Sequence, residues 1–234
     1  MGKGEIIIGF ENDIPLMAYK DENGDLTGFE IEFAQAVFEN LGIDIIFKEI
    51  DWSEKENELN SKNIDCIWSS MTVTEERRKI YEFSRVYMHN RQAIIIRKAD
   101  ASKYPDIESL SRVKIAAGSS TTGEDVIKEE LYLSQADYIP LNSQKDAINA
   151  LKNGEVDAIV IDYTYAKAYA SNENLGLMIF EDIHLEEEEF AVGFRYGSDM
   201  AKKVSDVFLN MILDGSLTDL ANKYNLYDCY SVFI

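Results

Sequence analysis

The sequence predicts an α/β protein of two lobes, each a mixed, largely parallel sheet flanked by helices, with two hinge crossings joining them. Three observations predict it. Short Ile- and Val-rich runs that read as buried strands alternate with helical patterns of period near 3.6. This β-α-β-α-β order is completed once before Phe83 and begins again at Val113. Between the two series lies an extended passage, roughly Tyr87 to Arg97, that ends in the run Ala93-Ile94-Ile95-Ile96.

The first strand is Glu5 to Phe10 (EIIIGF). Pro15 and the Asn23-Gly24 turn signal then point to a hairpin. A helix follows from Gly28 to Leu41, since Phe29, Phe33 and Val37 fall four apart with Ala34, Phe38 and Leu41 beside them. Gly42 stops it. Ile43 to Ile50 is the second strand, Glu54 to Leu59 a short polar helix, and Ile64 to Trp68 the third strand.

The second series runs through a strand at Val113 to Ala117, a Gly118 to Gly123 turn and a helix at Glu124 to Tyr132. A short strand at Tyr138-Ile139 and a helix at Gln144 to Lys152, closed by Asn153-Gly154, come next. Val156 to Ile161 is a buried strand that ends at Asp162 and leads into a Tyr- and Ala-rich helix. The acidic run Glu186 to Glu189 reads as a solvated segment rather than a metal site. Phe190 to Phe194 is a strand, and helices at Ser198 to Leu213 and Leu217 to Tyr224 close the chain. The expected lobes are residues 1–90 with 188–234, and residues 91–187, with the ligand in the cleft between them.

Composition narrows the function. At 234 residues, 46% hydrophobic and 28% charged, the chain is an ordinary globular protein. Its net charge of −20 argues against nucleic acid, which needs a basic footprint. The only histidines are His89 and His184, and with two cysteines no zinc-like spacing exists. No metal, cofactor or catalytic set is expected. Cys66 and Cys229 either pair in an oxidising compartment or are buried thiols. No run reaches the length of a membrane span, and no signal-peptide core is present. Either the protein is cytoplasmic or an export signal has been removed.

The chemistry concentrates in IDCIWSSMTVTEERRKIYEFSRVY, Ile64 to Tyr87. Ser69, Ser70, Thr72 and Thr74 follow a strand, where an α/β protein keeps hydrogen-bonding groups for a ligand. Arg77 or Arg78 beyond them suits a carboxylate, which a guanidinium clasps with two parallel bonds. The competing reading is a solvated helix start capped by Thr74. The Gly118 to Gly123 turn offers a helix N-terminus with amides suited to an anion, or is a plain strand–helix turn. It lacks the lysine of a phosphate loop.

Four stretches in order resemble the polar amino-acid solute-binding proteins of ABC importers. They are GFEIEFAQAVFENLG (28–42), IDCIWSSMTVTEERRKIYEFS (64–84), KIAAGSSTTGED (114–125) and GEVDAIVIDYTYA (154–166). The resemblance covers about Glu5 to Tyr224 and implies a type II periplasmic-binding fold that closes on a free polar L-amino acid.

The same resemblance assigns roles. Arg77, in T-x-T-x-x-R, would hold the ligand α-carboxylate, and Arg78 would be its exposed neighbour. Asp162, ending V-D-A-x-x-x-D, would hold the α-ammonium. Ser69, Ser70 and Thr72 would serve the same zwitterion, and Ser119, Ser120 and Thr121 would supply further donors to the carboxylate. Glu11 would read the ligand side chain and Trp52 would pack on its aliphatic part. Ile14 stands where many members have an aromatic wall, so the sandwich is one-sided. Met71 stands where the family often has Gly, and Trp68 is read as core filler.

A carboxylate at Glu11 favours a cationic side chain, worth about 4 kcal/mol for a close pair before desolvation is subtracted. The rival account makes Glu11 a partner for a backbone amide or a nearby lysine. The implied partner is a membrane permease, the implied location the periplasm or outer face of the cell membrane, and the implied state a monomer. The same fold also serves as the ligand-sensing domain of membrane-bound signalling proteins, and some relatives are dehydratases that use a cleft carboxylate as general acid.

Overall fold

Strand β1 (Glu5–Phe10) lies inside a sheet with a parallel neighbour on each side in a computed structural model. The structure describes residues 4–183, 185, 187–227 and 229. His184 and Glu186, singled out above, lie outside the described residues.

A small antiparallel hairpin, β2 (Tyr19–Lys20) with β3 (Leu26–Thr27), matches the Asn23-Gly24 signal. Helix α1 (Phe29–Leu41) follows, with Phe29, Phe33, Val37 and Phe38 buried. Gly28, just ahead of it, holds φ 124°, and a Cβ there would lie 2.3 Å from the Met17 carbonyl oxygen, so only glycine fits. Gly42 ends the helix in the left-handed region at φ 68°, its N–H returning to the Glu39 and Phe38 carbonyls. Strand β4 (Asp44–Glu49) pairs parallel with β1. One 3₁₀ turn (Trp52–Glu54) leads into the short helix α2 (Lys55–Asn60), and β5 (Cys66–Ile67) pairs parallel with the other side of β1.

A 3₁₀ turn at Arg77–Lys79, where a helical turn is expected, brings the chain to β6 (Tyr81–Phe83). The ten-residue β7 (Met88–Arg97) then carries it into the second series. There β8 (Lys114–Gly118), α3 (Thr122–Glu129), β9 (Asp137–Leu141), α4 (Gln144–Asn153), β10 (Ala158–Asp162) and α5 (Tyr163–Ala170) follow in turn. The chain returns through β11 (Leu177–Ile179), β12 (Glu187–Phe190) and β13 (Gly193–Arg195), and closes with α6 (Asp199–Leu213) and α7 (Ser216–Lys223).

Two compact units result, Met1–His89 with Glu188–Ile234, and Asn90–Glu187. The first contains a sheet in the order β4-β1-β5-β13-β6. Its core is aromatic: the Phe33 ring lies 5.2 Å from Trp68 and 4.4 Å from Phe208, and Trp68 is 1% exposed. Trp68 therefore fills the core, as expected. Met71 is accommodated because position 193 is glycine, where a Cβ would fall 2.8 Å from the Met71 sulfur. The second unit contains the order β11-β7-β10-β8-β9, with β8, β9 and β10 parallel and β7 antiparallel to β10.

Two expectations need correcting, and one open alternative is decided. Glu187–Phe190 is a strand, not merely a solvated acidic segment, because its backbone pairs with β7 whatever its side chains are. Leu177–Ile179 is a strand the sequence reading omitted, too short for a period to show. Cys66 and Cys229 are buried thiols, not a disulfide, and burial pushes the Cys66 thiol up.

Candidate functional site: two clusters at parallel strand ends

In the first unit three parallel strands, β4, β1 and β5, finish on the same edge of their sheet. The residues that follow them are thereby neighbours. Glu11 follows β1 and Ser69 follows β5, and the Glu11 N–H donates to Ser69 Oγ at 3.0 Å. Trp52 follows β4 and is buried.

Arg77 comes to the same group. Its N–H donates to Thr74 Oγ1 at 3.1 Å, and its Nη1 donates to the Thr72 carbonyl at 2.8 Å. The guanidinium carbon stands 5.8 Å from the centre of the Trp52 ring. Arg78 instead is exposed, 3.8 Å from Glu75 on the surface. The two arginines left open by the sequence thus have different surroundings.

The serines do more holding than the sequence suggests. Ser70 sits at φ 46°, a conformation uncommon for a residue with a side chain. Its N–H donates to Glu30 Oε1 at 2.6 Å and its hydroxyl to the same oxygen at 3.2 Å. Tyr87 donates its phenol to that oxygen as well. Glu30 is 1% exposed, and burial raises its carboxyl to about 7 despite the hydrogen bonds, which pull the other way. Ser70, expected to serve a ligand, directs its N–H and its hydroxyl to Glu30.

Thr72 donates its hydroxyl to Glu188 Oε2 at 3.0 Å, which leaves that oxygen as an acceptor. Ile14 is 6% exposed in a short bridge to Ala18, so it contributes packing rather than an open wall. Lys55, absent from the sequence reading, is 3% exposed. Its ammonium donates to the Trp52 carbonyl at 3.2 Å and stands 4.6 Å from the Trp52 ring centre. Burial, then the charge of Arg77, brings it down to about 8, while Glu56 and Glu11 act in the opposite sense.

The second unit repeats the arrangement, with β8, β9 and β10 parallel and ending together. Asp162 closes β10 and is 5% exposed. Directly opposite it on β7 is Gln92, and Asn90 lies two residues along on the same face. Asn90 Nδ2 and Gln92 Nε2 both donate to Asp162 Oδ1, at 2.7 and 2.8 Å. Gln144, at the start of α4 after β9, donates to Oδ2 at 2.5 Å and accepts the Asp162 N–H at 2.8 Å. Three neutral amides therefore fix the carboxylate without cancelling its charge. These amides were missed, although the alternation of polar Asn90 and Gln92 in the strand was the available signal.

The amides expected of the Ser119 to Thr121 turn are engaged. Ser119 N–H donates to Leu141 O at 2.7 Å, Ser120 N–H to Glu124 Oε2 at 2.7 Å and Thr121 N–H to Gly118 O at 3.4 Å. Thr121 caps α3, accepting the Glu124 N–H and donating its own hydroxyl to Gly118 O. The three backbone donors are thus taken up by Leu141, Glu124 and Gly118. Among the described residues no group of His, Cys, Asp and Glu is placed to hold a metal ion, and no helix is long and apolar enough to cross a membrane.

The profile of the bacterial extracellular solute-binding proteins, family 3, matches residues 6–227. The chain is similar to the L-cystine-binding protein TcyJ of Escherichia coli (strain K12), 27% identical over 95% of this chain and 83% of that one. Its fold is similar to an ABC uptake transporter substrate-binding protein from Streptococcus pneumoniae solved with bound histidine. There the TM-score is 0.88 at 28% identity, covering 97% of this chain and 94% of that one. It is similar too to the ancestral amino acid-binding protein AncCDT-1, a precursor of cyclohexadienyl dehydratase. That match has a TM-score of 0.86 at 29% identity, over 94% and 95% of the two chains. Over almost its whole described length, then, the chain belongs to the bacterial extracellular solute-binding proteins, family 3.

Proposed function

We propose that this protein captures a free polar L-amino acid outside the cytoplasmic membrane and hands it to an ABC permease, without chemical turnover. The observation that carries the reading is Asp162. A carboxylate held by three neutral amides is a built receptor for a cation, and the α-ammonium of a free amino acid is the cation its family relatives handle. Arg77, propped by the Thr72 carbonyl, is the matching partner for the α-carboxylate. Ser69 and Thr72 add polar contacts, Ser119 a hydroxyl, and Trp52 an apolar surface. Ile14 and Ser70 act by shaping the turns beside them, as do Ser120 and Thr121.

The periplasm, or the outer face of the membrane for an anchored form, is the proposed location, and the working unit is a monomer. A ligand that prefers one conformation stabilises it by mass action, about 2.7 kcal/mol at a concentration a hundred times its dissociation constant. The test is calorimetric titration and thermal shift against the twenty amino acids with ornithine, citrulline and cystine. At least one is expected to bind in the micromolar range or tighter and to be recovered unchanged. Binding of none, or recovery of a product, would overturn the reading.

A further inference from the structure

Glu11 alone would draw a cationic side chain, but the structure puts Lys55 into the same cluster. A lysine on a surface helix normally carries its ammonium out to water. Lys55 does the opposite: it is 3% exposed at the start of α2, with its charge over the Trp52 ring. Burying an ammonium costs free energy unless something at the site uses it. The ammonium has three N–H donors, and one goes to the Trp52 carbonyl. Arg77 stands over the same ring, and Glu11 and Arg77 both act electrostatically on Lys55.

Counting charges inside the cluster, Glu11 contributes −1, Lys55 +1 and Arg77 +1, while Glu56 acts on Lys55 from the exposed side of α2, where water and salt screen it. If Arg77 is matched by the ligand α-carboxylate, Glu11 and Lys55 offset each other. Nothing is then left to favour a second positive charge, while an N–H donor of Lys55 remains for an acceptor.

Resting on the reading of Arg77 and Asp162 given above, we propose that Lys55 sets the side-chain specificity of the site. It selects an amino acid whose side chain ends in a hydrogen-bond acceptor, an amide or a carboxylate, and rejects guanidinium and ammonium side chains. Lys55 donates to the acceptor oxygen and Trp52 packs against the aliphatic stem.

The experiment is titration calorimetry at pH 7 with glutamine, glutamate, arginine and lysine, on the wild type, Lys55→Met and Lys55→Gln. Met keeps the straight apolar stem and Gln keeps a donor, and a ligand-free melt checks that each variant folds. The wild type is expected to bind glutamine or glutamate at least tenfold tighter than arginine or lysine. Lys55→Met should lose at least tenfold for the acceptor ligands and gain for arginine, while Lys55→Gln falls between. A wild type that prefers arginine or lysine overturns the proposal, as does a variant that shifts all four ligands by one common factor. In both cases an amino acid still binds, so the Arg77–Asp162 reading stands. A wild type that binds none of these four overturns this proposal, and the reading of Arg77 and Asp162 falls with it only if the other amino acids, ornithine, citrulline and cystine fail to bind as well.

Discussion

The backbone N–H of Ser70 donates to the buried carboxylate of Glu30 at 2.6 Å, tying the turn after β5 to the first turn of α1. That bond holds Ser70 in its left-handed conformation beside Ser69, whose hydroxyl accepts the Glu11 N–H. The second oxygen of Glu30, Oε2, is buried with no hydrogen-bond partner. Ionised Glu30 is thus incompletely compensated, which is why burial outweighs the bonds and raises its carboxyl to about 7.

The consequence is a pH dependence of stability. In the unfolded chain a glutamate ionises near 4.3, so between that value and about 7 the folded protein holds the proton and the unfolded chain does not. Stability therefore falls as pH rises through this window, is free of the penalty below it and carries it in full above. The size is on the order of 3 kcal/mol. Glu30→Gln, which keeps an acceptor for Ser70 and removes the charge, should flatten the ligand-free melting temperature between pH 5 and 7.5. An unaltered slope in that variant would assign the dependence elsewhere.

Arg77 and Arg78 separate geometry from charge. Arg77 is anchored to Thr72 and leans on Trp52, whereas Arg78 is exposed beside Glu75. Arg77→Ala should abolish amino-acid binding, and Arg77→Lys should weaken it at least tenfold, because an ammonium keeps the charge and loses the planar fork. Arg78→Ala should stay within about twofold of wild type, as exposed pairs contribute little. Calorimetry on the three variants reads this directly, and equal losses at both positions would refute the assignment of Arg77.

For Asp162 the informative change is in its cradle. Gln144 donates to one carboxylate oxygen and accepts the Asp162 N–H, so it fixes both side chain and backbone. Gln144→Leu keeps the volume and removes both bonds. A hydrogen bond to a charged group contributes about 1.5–3 kcal/mol, and the ligand-free protein should lose stability of that order in a urea melt. Affinity should fall with it, since the carboxylate loses its orientation toward an ammonium. A variant that melts lower but binds as before would make Gln144 a purely structural residue.

The fold was legible because its signals are local. EIIIGF, the run Ala93–Ile96 and VDAIVI are apolar enough to be strands in any context, and Gly42 and Gly154 stop their helices in the left-handed conformation glycine favours. The residues alone left Arg77 and Arg78 open, and the choice of Arg77 and of Asp162 came from the motifs T-x-T-x-x-R and V-D-A-x-x-x-D. Lys55 was not legible, since Glu54, Glu56 and Glu58 around it read as a solvated helix, and only packing against Trp52 buries it. Glu30 stands in the first turn of α1, where an acidic side chain complements the helix dipole. Its partners Ser70 and Tyr87 lie 40 and 57 residues away, which no local pattern reveals.

Gly123 links the start of α3 to the Asp162 cradle and gives the sharpest test of how tightly that cradle is packed. A Cβ there would lie 2.9 Å from both Gln92 Oε1 and the Val160 carbonyl oxygen, closer than real contacts allow. The carbonyl belongs to β10 and cannot yield, so relief must come from Gln92 or from a shift of α3. Gln92 also donates to Thr122 Oγ1 and to Asp162 Oδ1, so either movement disturbs the carboxylate. Gly123→Ala should cost about 1–3 kcal/mol by overpacking, even though alanine is the better helix former. Amino-acid affinity should drop by at least fivefold in calorimetry. Gln92→Ala in the same background opens space at that contact and should recover part of the stability, but not the affinity, because the donor to Asp162 is gone. Recovery of both would mean that Gln92 takes no part in holding Asp162 for its ligand.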